Sequence, residues 1–357
     1  MAGDSIKGDH DTDLKIRQGR LNFSKRNKLH SFDRIREMTL RDKIYGVFKI
    51  DDAVIIELLE SPSLLRLKKI SQYGVPDKYY HLKNYSRYEH SIGVMLLLRK
   101  LGATLEEQAA GLIHDVSHLA FSHIADWVFS DGNKGNEDLQ DTLMEEFIRD
   151  GKIATILTKH GFSVDRLLNE ENYPLLEKKI PDLCADRVDY AMREFIYWLN
   201  PGIVKKCLDG LINYNGEIVF NDREEAFIFA SSFLELQTKH WGGFESMVRY
   251  HLFSEALKLA VREGVVKKKD FYKDEPFILA KLENQKSPEI EDILNLLKKR
   301  NLKEYEISSS KKVFKKFRYV DPKVVVDGKL VKLSSLSQKF TKLLDKNRKI
   351  SEKGLVV

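Results

Sequence analysis

Residues 86–115 read SRYEHSIGVMLLLRKLGATLEEQAAGLIHD, and this stretch decides the fold. It opens on Ser86-Arg87-Tyr88-Glu89, a capping-box pattern with Ser86 as N-cap and Glu89 at the third helical position. Ile92, Val94, Leu96, Leu97 and Leu101 then leave little polar surface, so the helix is mostly buried, and Gly102 stops it. Thr104 to Glu107 repeat the capping-box signature before Ala109, Ala110, Leu112 and Ile113. The small residues of that second helix permit close packing on the first. It finishes at His114-Asp115. Two buried helices thus bring His90, in the first turn of one, to His114-Asp115 at the end of the other. The pattern predicts a mainly α-helical fold.

A second polar element comes later. Pro181 and Asp182 open a helix over Leu183–Leu199, stopped before Pro201. Along it Asp186, Asp189, Tyr190, Arg193 and Glu194 fall at i, i+3, i+4, i+7 and i+8 and share one face. So many ionisable groups beside Val188, Phe195 and Ile196 point to a polar cleft. Together the residues form the pattern H…HD…D: His90, His114, Asp115 and Asp186. A buried imidazole or carboxylate needs a partner, and one shared ion satisfies all four. Two imidazoles and two carboxylates suit a divalent metal that holds a water against a phosphate ester. His118 and His123 follow the HD pair at helical spacing.

The remaining sequence sets bounds. With 357 residues and 42% hydrophobic composition the chain can bury a sizeable core. Two cysteines, Cys184 and Cys207, give neither a disulfide framework nor a CxxC knuckle. The first twenty residues are polar, and the apolar run Val94–Leu98 is far too short to span a bilayer. A cytoplasmic protein with no membrane association is expected. The net charge of +6 fits a lysine-rich solvated surface. Residues 1–30 lack apolar periodicity and read as a flexible arm. Residues 31–265 read as the helical core and 266–357 as a small mixed α+β lobe. Tyr214–Phe220 reads as a hairpin turning at Asn215-Gly216. Two long helices follow, joined at Gly242-Gly243. Ser287-Pro288 caps another helix, strands are expected at Tyr305–Ile307 and Val313–Val320, and a hairpin turns at Asp327-Gly328. Lys298–Arg318 holds nine Lys/Arg against two Glu; such a run is a solvated face, or a binding surface for an effector nucleotide or nucleic acid.

The stretch Arg66–Glu194 resembles the HD-domain phosphohydrolase superfamily, in particular its deoxynucleoside triphosphate triphosphohydrolases of the SAM-and-HD-domain branch. The resemblance rests on Arg66-Leu67…Ser71-Gln72-Tyr73-Gly74, Ser86–Val94, Gly111–Asp115…His118…Phe121-Ser122-His123 and Ala185–Tyr190…Arg193-Glu194, in the family's order and spacing. It implies an HD-domain helical bundle in which His90, His114, Asp115 and Asp186 bind Mn, Fe, Mg, Zn, Ni or Co. It implies that Arg87 touches phosphate, that His118 and His123 serve as proton donors or charge stabilisers, and that Gln72 and Tyr73 border the sugar. Arg187 and Tyr190 would meet phosphate and sugar, and Glu194 stands where the family has an Asp that reads a sugar hydroxyl. The implied reaction hydrolyses a dNTP to deoxynucleoside and triphosphate. A homo-oligomer is implied as well.

One departure bears on the chemistry. The family's His-Glu pair after the HD helix is Asn136-Glu137 here, and Asn is no general acid. That substitution favours a phosphomonoesterase or phosphodiesterase acting on another nucleotide. Together with the basic run it also admits a catalytically weak nucleotide- or RNA-binding regulator.

Overall fold

The described chain opens on an antiparallel hairpin, β1 (Met38–Asp42) and β2 (Gly46–Ile50). Asp42 shapes its turn, with Oδ1 accepting from the Ile44 and Tyr45 amides. The computed structural model describes residues 37–80, 84–130, 138–149, 151–302, 312–313, 317–353 and 355–356. The arm expected over 1–30, Asn136-Glu137, the strand at Tyr305–Ile307 and most of the basic run lie outside them.

Helices α1 (Ala53–Leu59), α2 (Pro62–Arg66) and the short α3 (Asp77–Tyr80) lead to α4 (Arg87–Lys100) and α5 (Leu105–Ile113). At α4 the capping box forms in full, Ser86 Oγ accepting from Glu89 N and the Glu89 carboxylate from Ser86 N. At α5 only the Thr104 half forms. The Glu107 carboxylate accepts instead from Leu175 N at 2.7 Å and ties a later segment to α5. α4 is buried from Ser91 to Leu98, as its all-round apolar sequence requires. Next come α6 (Ile124–Phe129), α7 (Leu139–Arg149), α8 (Lys152–Lys159), α9 (Val164–Leu168), α10 (Ala185–Trp198) and α11 (Pro201–Gly210). α10 crosses α4 at Gly93. A Cβ there would lie 1.9 Å from Arg193 Nη2 and 2.1 Å from Asp189 Oδ1, so only glycine lets these buried groups reach the α4 backbone.

β3 (Leu211–Tyr214) and β4 (Glu217–Phe220) form the expected hairpin, with Asn215 and Gly216 both at positive φ. α12 (Arg223–Leu236) runs through a π turn at Gln237–Trp241 and is followed by α13 (Phe244–Arg262), α14 (Glu275–Asn284) and α15 (Pro288–Leu297). Then come β5 (Lys312–Val313), β6 (Lys323–Val326), β7 (Lys329–Lys332), α16 (Leu333–Leu336), α17 (Gln338–Ser351) and β8 (Leu355–Val356). Of the strand expected over Val313–Val320, Val313 lies in β5 and Phe317–Val320 has no regular structure, while residues 314–316 lie outside the described residues. One sheet has the order β3-β4-β6-β7, with β4 and β6 parallel. The protein is mainly α with small sheets, as expected.

Two apolar clusters support the site. One packs α1, α4, α5, α10 and α12 with Val324 and Phe340. The other joins Leu119–Trp127 to α13, α14 and α15. The chain between α5 and α6 passes from the first cluster at Val116 to the second at Leu119, and His118 sits at that passage. Among the described residues no helix is long and apolar enough to cross a membrane.

Candidate active site

The first turn of α4 sets His90 in a fully buried position. Its Nδ1 is 2.7 Å from Asp189 Oδ2, and its Nε2 is 2.9 Å from Asp186 Oδ1. His114, at the end of α5, turns Nδ1 to Gly111 O at 2.8 Å. Its Nε2 then lies 3.5 Å from both Asp115 Oδ1 and Asp186 Oδ1, is buried, and has no hydrogen-bond partner. Ligand atoms of His90, His114 and Asp115 all fall within 4.8 Å of one another. Each imidazole is anchored through Nδ1 and presents Nε2 to the carboxylates. The orphaned His114 Nε2 and the mixed N/O donor set fit a divalent metal.

The electrostatics agree. Burial opposes charge on His90, but hydrogen bonds to Asp186 and Asp189 outweigh it and raise the pKa to about 9. Burial likewise opposes charge on His114, and the Asp115 and Asp186 carboxylates raise it. Burial works against ionised Asp115, yet the Arg87 guanidinium and the neighbouring imidazoles hold its carboxyl well below the usual range. Asp186 is also held low, by His114 and His90 against burial. The carboxylates thus favour positive charge at both imidazoles, a charge arrangement that a divalent ion can replace.

Arg87 is buried and donates from Nη1 to Asp115 Oδ2 at 2.8 Å and from Nε to Ser122 Oγ at 3.0 Å. His118 Nε2 is 3.3 Å from Asp115 Oδ1. Burial and then the Arg87 charge push its pKa well down, so it is a neutral imidazole. His123 meets His118 edge to face with centroids 5.1 Å apart, and its Nδ1 is 3.3 Å from Asp126 Oδ2. Its side chain is 20% exposed against 3% for His118, which makes His123 the more accessible of the two.

The other sequence-expected residues lie around this cluster in different settings. The Tyr190 ring is 6.4 Å from His90 and 5.6 Å from Trp241. Glu194 is buried and accepts from the Trp241 indole. Tyr73 stacks on Tyr80 and meets Tyr85 edge-on, both at 5.7 Å, and its hydroxyl is buried without a hydrogen-bond partner, as is Gln72 Oε1. Arg187 points elsewhere: Nη1 donates to Asp182 O and Cys184 Sγ, and Nη2 to Lys178 O and Glu177.

Sequence reasoning placed Asp189 on the helix face but gave it no task. It is the second carboxylate on His90, and its i+3 spacing from Asp186 was the available signal. Ser122 and Asp126, which hold Arg87 and His123, carried no such signal.

A family model described as HD domain matches residues 87–191. An uncharacterised Bacillus subtilis protein, YdhJ, is 36% identical over 324 residues, 90% of this chain and 98% of its own length. The chain belongs to the HD-domain phosphohydrolase superfamily. This HD-domain protein is also 38% identical over 157 residues to Cns2, a metal-dependent phosphohydrolase of Cordyceps militaris; that match spans 44% of this chain and 45% of Cns2. A Dictyostelium discoideum homologue of the deoxynucleoside triphosphate triphosphohydrolase SAMHD1 is 26% identical over 305 residues, 74% of this chain and 59% of its own. A solved phosphohydrolase structure from Bacteroides thetaiotaomicron shares the fold at a TM-score of 0.58 and 17% identity, covering 85% of this chain and 96% of that one. The protein is a hydrolase, and its His/Asp cluster fits the divalent metal on which such phosphohydrolases depend.

Proposed function

We propose that this HD-domain phosphohydrolase acts on nucleotides and hydrolyses a dNTP to deoxynucleoside and triphosphate. One observation carries the reading. The His118/His123 pair meets the His-Asp cluster at Asp115, and Tyr190, with Trp241 and Glu194 beyond it, meets the cluster at His90. A phosphate ester at the cluster then has proton chemistry near Asp115 and aromatic and polar groups for a nucleoside near His90. The likeness to a protein named as a SAMHD1 homologue supports the same substrate class.

In this reading His90, His114, Asp115 and Asp186 hold the ion. When bound, the ion supplies Lewis-acid polarisation and a more acidic water. The chain does the rest. Arg87, held by Asp115 and Ser122, adds positive charge beside the phosphate. Neutral His118 offers an N–H to a phosphoryl oxygen. Water attacks the α-phosphorus and gives up its proton to solvent, the bond to the 5′ oxygen breaks, and His123 delivers the proton that the leaving oxygen needs. Asp126 orients His123 for that transfer. Tyr73, Gln72, Tyr190 and Glu194 border the nucleoside. A homo-oligomer and an effector nucleotide belong to the same proposal.

A second reading, a phosphomonoesterase, is favoured by the arginines. A triphosphate carries about four negative charges and calls for several cations. Arg66 spends its guanidinium on the carbonyl oxygens of Val116, His118 and Lys273, and Arg187 is held by Asp182, Lys178 and Glu177. The test is a product assay with each dNTP and each deoxynucleoside monophosphate, with Mn²⁺, Mg²⁺, Co²⁺ or Fe²⁺, resolved by ion exchange. Triphosphate with deoxynucleoside supports the first reading. Orthophosphate released from monophosphates, with no triphosphate from any dNTP, replaces it with the second.

A further inference from the structure

A buried carboxylate far along the chain reaches the site by a continuous path of hydrogen bonds. Glu275, the first residue of α14, is 7% exposed. Its Oε1 accepts from Ser71 N at 2.7 Å, from Ser71 Oγ at 2.8 Å and from Phe121 N at 3.3 Å. Ser71 O in turn accepts from Ser122 Oγ at 2.7 Å. Ser122 Oγ accepts from Arg87 Nε at 3.0 Å, and Arg87 Nη1 donates to Asp115 Oδ2 at 2.8 Å. Three residues, Ser71, Ser122 and Arg87, stand between Glu275 of α14 and the HD aspartate.

The segment this path holds is strained. Phe121 and Ser122 both have positive φ, 69° and 48°, although neither is glycine. Two consecutive side-chain-bearing residues in the left-handed region are strained and persist only where their surroundings over-determine them. The surroundings are visible. Glu275 takes the Phe121 amide, Phe271 O takes the Ala120 amide at 2.8 Å, and Gly74 lies so close that a Cβ on it would come within 2.4 Å of Phe121 O. His123 follows directly and caps the start of α6. The turn therefore fixes Ser122 under Arg87 and His123 beside His118 at once.

We propose that Glu275 is a positioning residue for the active site: its carboxylate clamps Ser71 and the left-handed Phe121–Ser122 turn, and through Ser122 it holds Arg87 against Asp115. The inference rests on the placement of Arg87, Asp115 and His123 in the active site. Glu275 itself touches no reacting atom. Burial pushes its acid up to about 7 against the opposing pull of the Ser71 and Phe121 donors.

The test compares Glu275→Leu, Glu275→Gln and Ser71→Ala in the full chain. Gln keeps an oxygen for the three donors; Leu keeps none. Amide hydrogen exchange at Ser71 and Phe121 should rise at least tenfold in Glu275→Leu and return toward wild type in Glu275→Gln. Mn²⁺ affinity should fall about tenfold in Glu275→Leu, because Asp115 loses its aligned Arg87. With Mn²⁺ and whichever of the four dNTPs or p-nitrophenyl phosphate the wild type turns over, kcat should fall roughly 100-fold while KM changes far less. Combining Glu275→Leu with Ser122→Ala should add little further loss, since both cut one path. If Glu275→Leu fails to fold, Ser71→Ala reads the same path with its amide donor intact. Unchanged exchange at Phe121, unchanged Mn²⁺ affinity, or full additivity with Ser122→Ala overturns the proposal. A wild type silent on every ester refutes the functional reading alone, because exchange and Mn²⁺ affinity still decide for or against Glu275.

Discussion

Replacing Asp189 by Asn probes the electrostatics of the site at one atom. Asp189 Oδ2 accepts from His90 Nδ1 and from Arg193 Nε, each at 2.7 Å, in a fully buried position. Asn keeps an oxygen there but removes the charge that makes His90 Nε2 a stronger metal ligand. Loss of such an outer partner costs about 10–100-fold in metal affinity, roughly 1.4–2.7 kcal/mol. A second effect has the opposite sign. Before metal binds, the His90 pKa stands at about 9, raised by Asp186 and Asp189 against burial. A raised pKa favours the imidazolium, so below that pH the metal must displace a proton. From pH 7 to pH 8.5 easier proton release alone should strengthen wild-type binding roughly 25-fold. In the variant the His90 pKa falls and the curve flattens. The two proteins should converge near pH 7 and separate by about 10–100-fold toward pH 8.5. Calorimetric Mn²⁺ titration under nitrogen, in buffers of different ionisation enthalpy, reads both affinity and protons released. Wild-type affinity that ignores pH, or a variant curve that overlays it throughout, refutes the reasoning.

Gly93→Ala should lower stability by about 1–3 kcal/mol, because the new methyl enters the space of Arg193 and Asp189; thermal unfolding measures it, and an unchanged Tm contradicts the close approach. Glu275 gives a pH signature of its own. Its acid is raised to about 7 by burial, so its contribution to stability is full below its unfolded value and lost as pH rises toward 7. Urea unfolding at pH 5 and pH 8 should show the gap between wild type and Glu275→Gln shifting by roughly 2–3 kcal/mol in favour of the variant at pH 8; a constant gap would contradict it. His114→Ala removes the orphaned Nε2 and should abolish both Mn²⁺ binding and hydrolysis while far-UV circular dichroism stays that of wild type. Retained stoichiometric Mn²⁺ would remove His114 from the ligand set.

The centre of this fold was legible because its signals are local. Ser86 and Glu89 form their capping box within four residues, and an apolar helix with a histidine in its first turn has few places to go. The β3–β4 hairpin announced itself at Asn215-Gly216 for the same reason. What could not be read depends on partners distant in sequence. Glu107 looked like the returning half of a capping box, and a backbone amide 68 residues on takes its carboxylate. The parallel pairing of β4 with β6 joins segments about a hundred residues apart, and no turn chemistry marks such a pair. Asp189 lay between these cases: its face was visible, and its partner, 99 residues away, was not.

The face of α10 explains why the candidate metal ligands, an orienting carboxylate and the proposed nucleoside wall occur together. Asp186 meets His90 and His114; three residues on, Asp189 takes the other nitrogen of His90. At the next turn Arg193 joins Asp189 to Asp42 of β1, and Glu194 holds Trp241 of the π turn. A rigid helix with these residues at i, i+3, i+7 and i+8 cannot move one contact without the others. The seat of the helix is in turn fixed where it crosses α4, since Gly93 alone admits the Asp189–Arg193 pair against the backbone. The geometry of His90 is therefore set from two sides, by its own helix and by α10. The insertion that aims His90 Nε2 at the metal position also fixes the wall against which the nucleoside is proposed to lie.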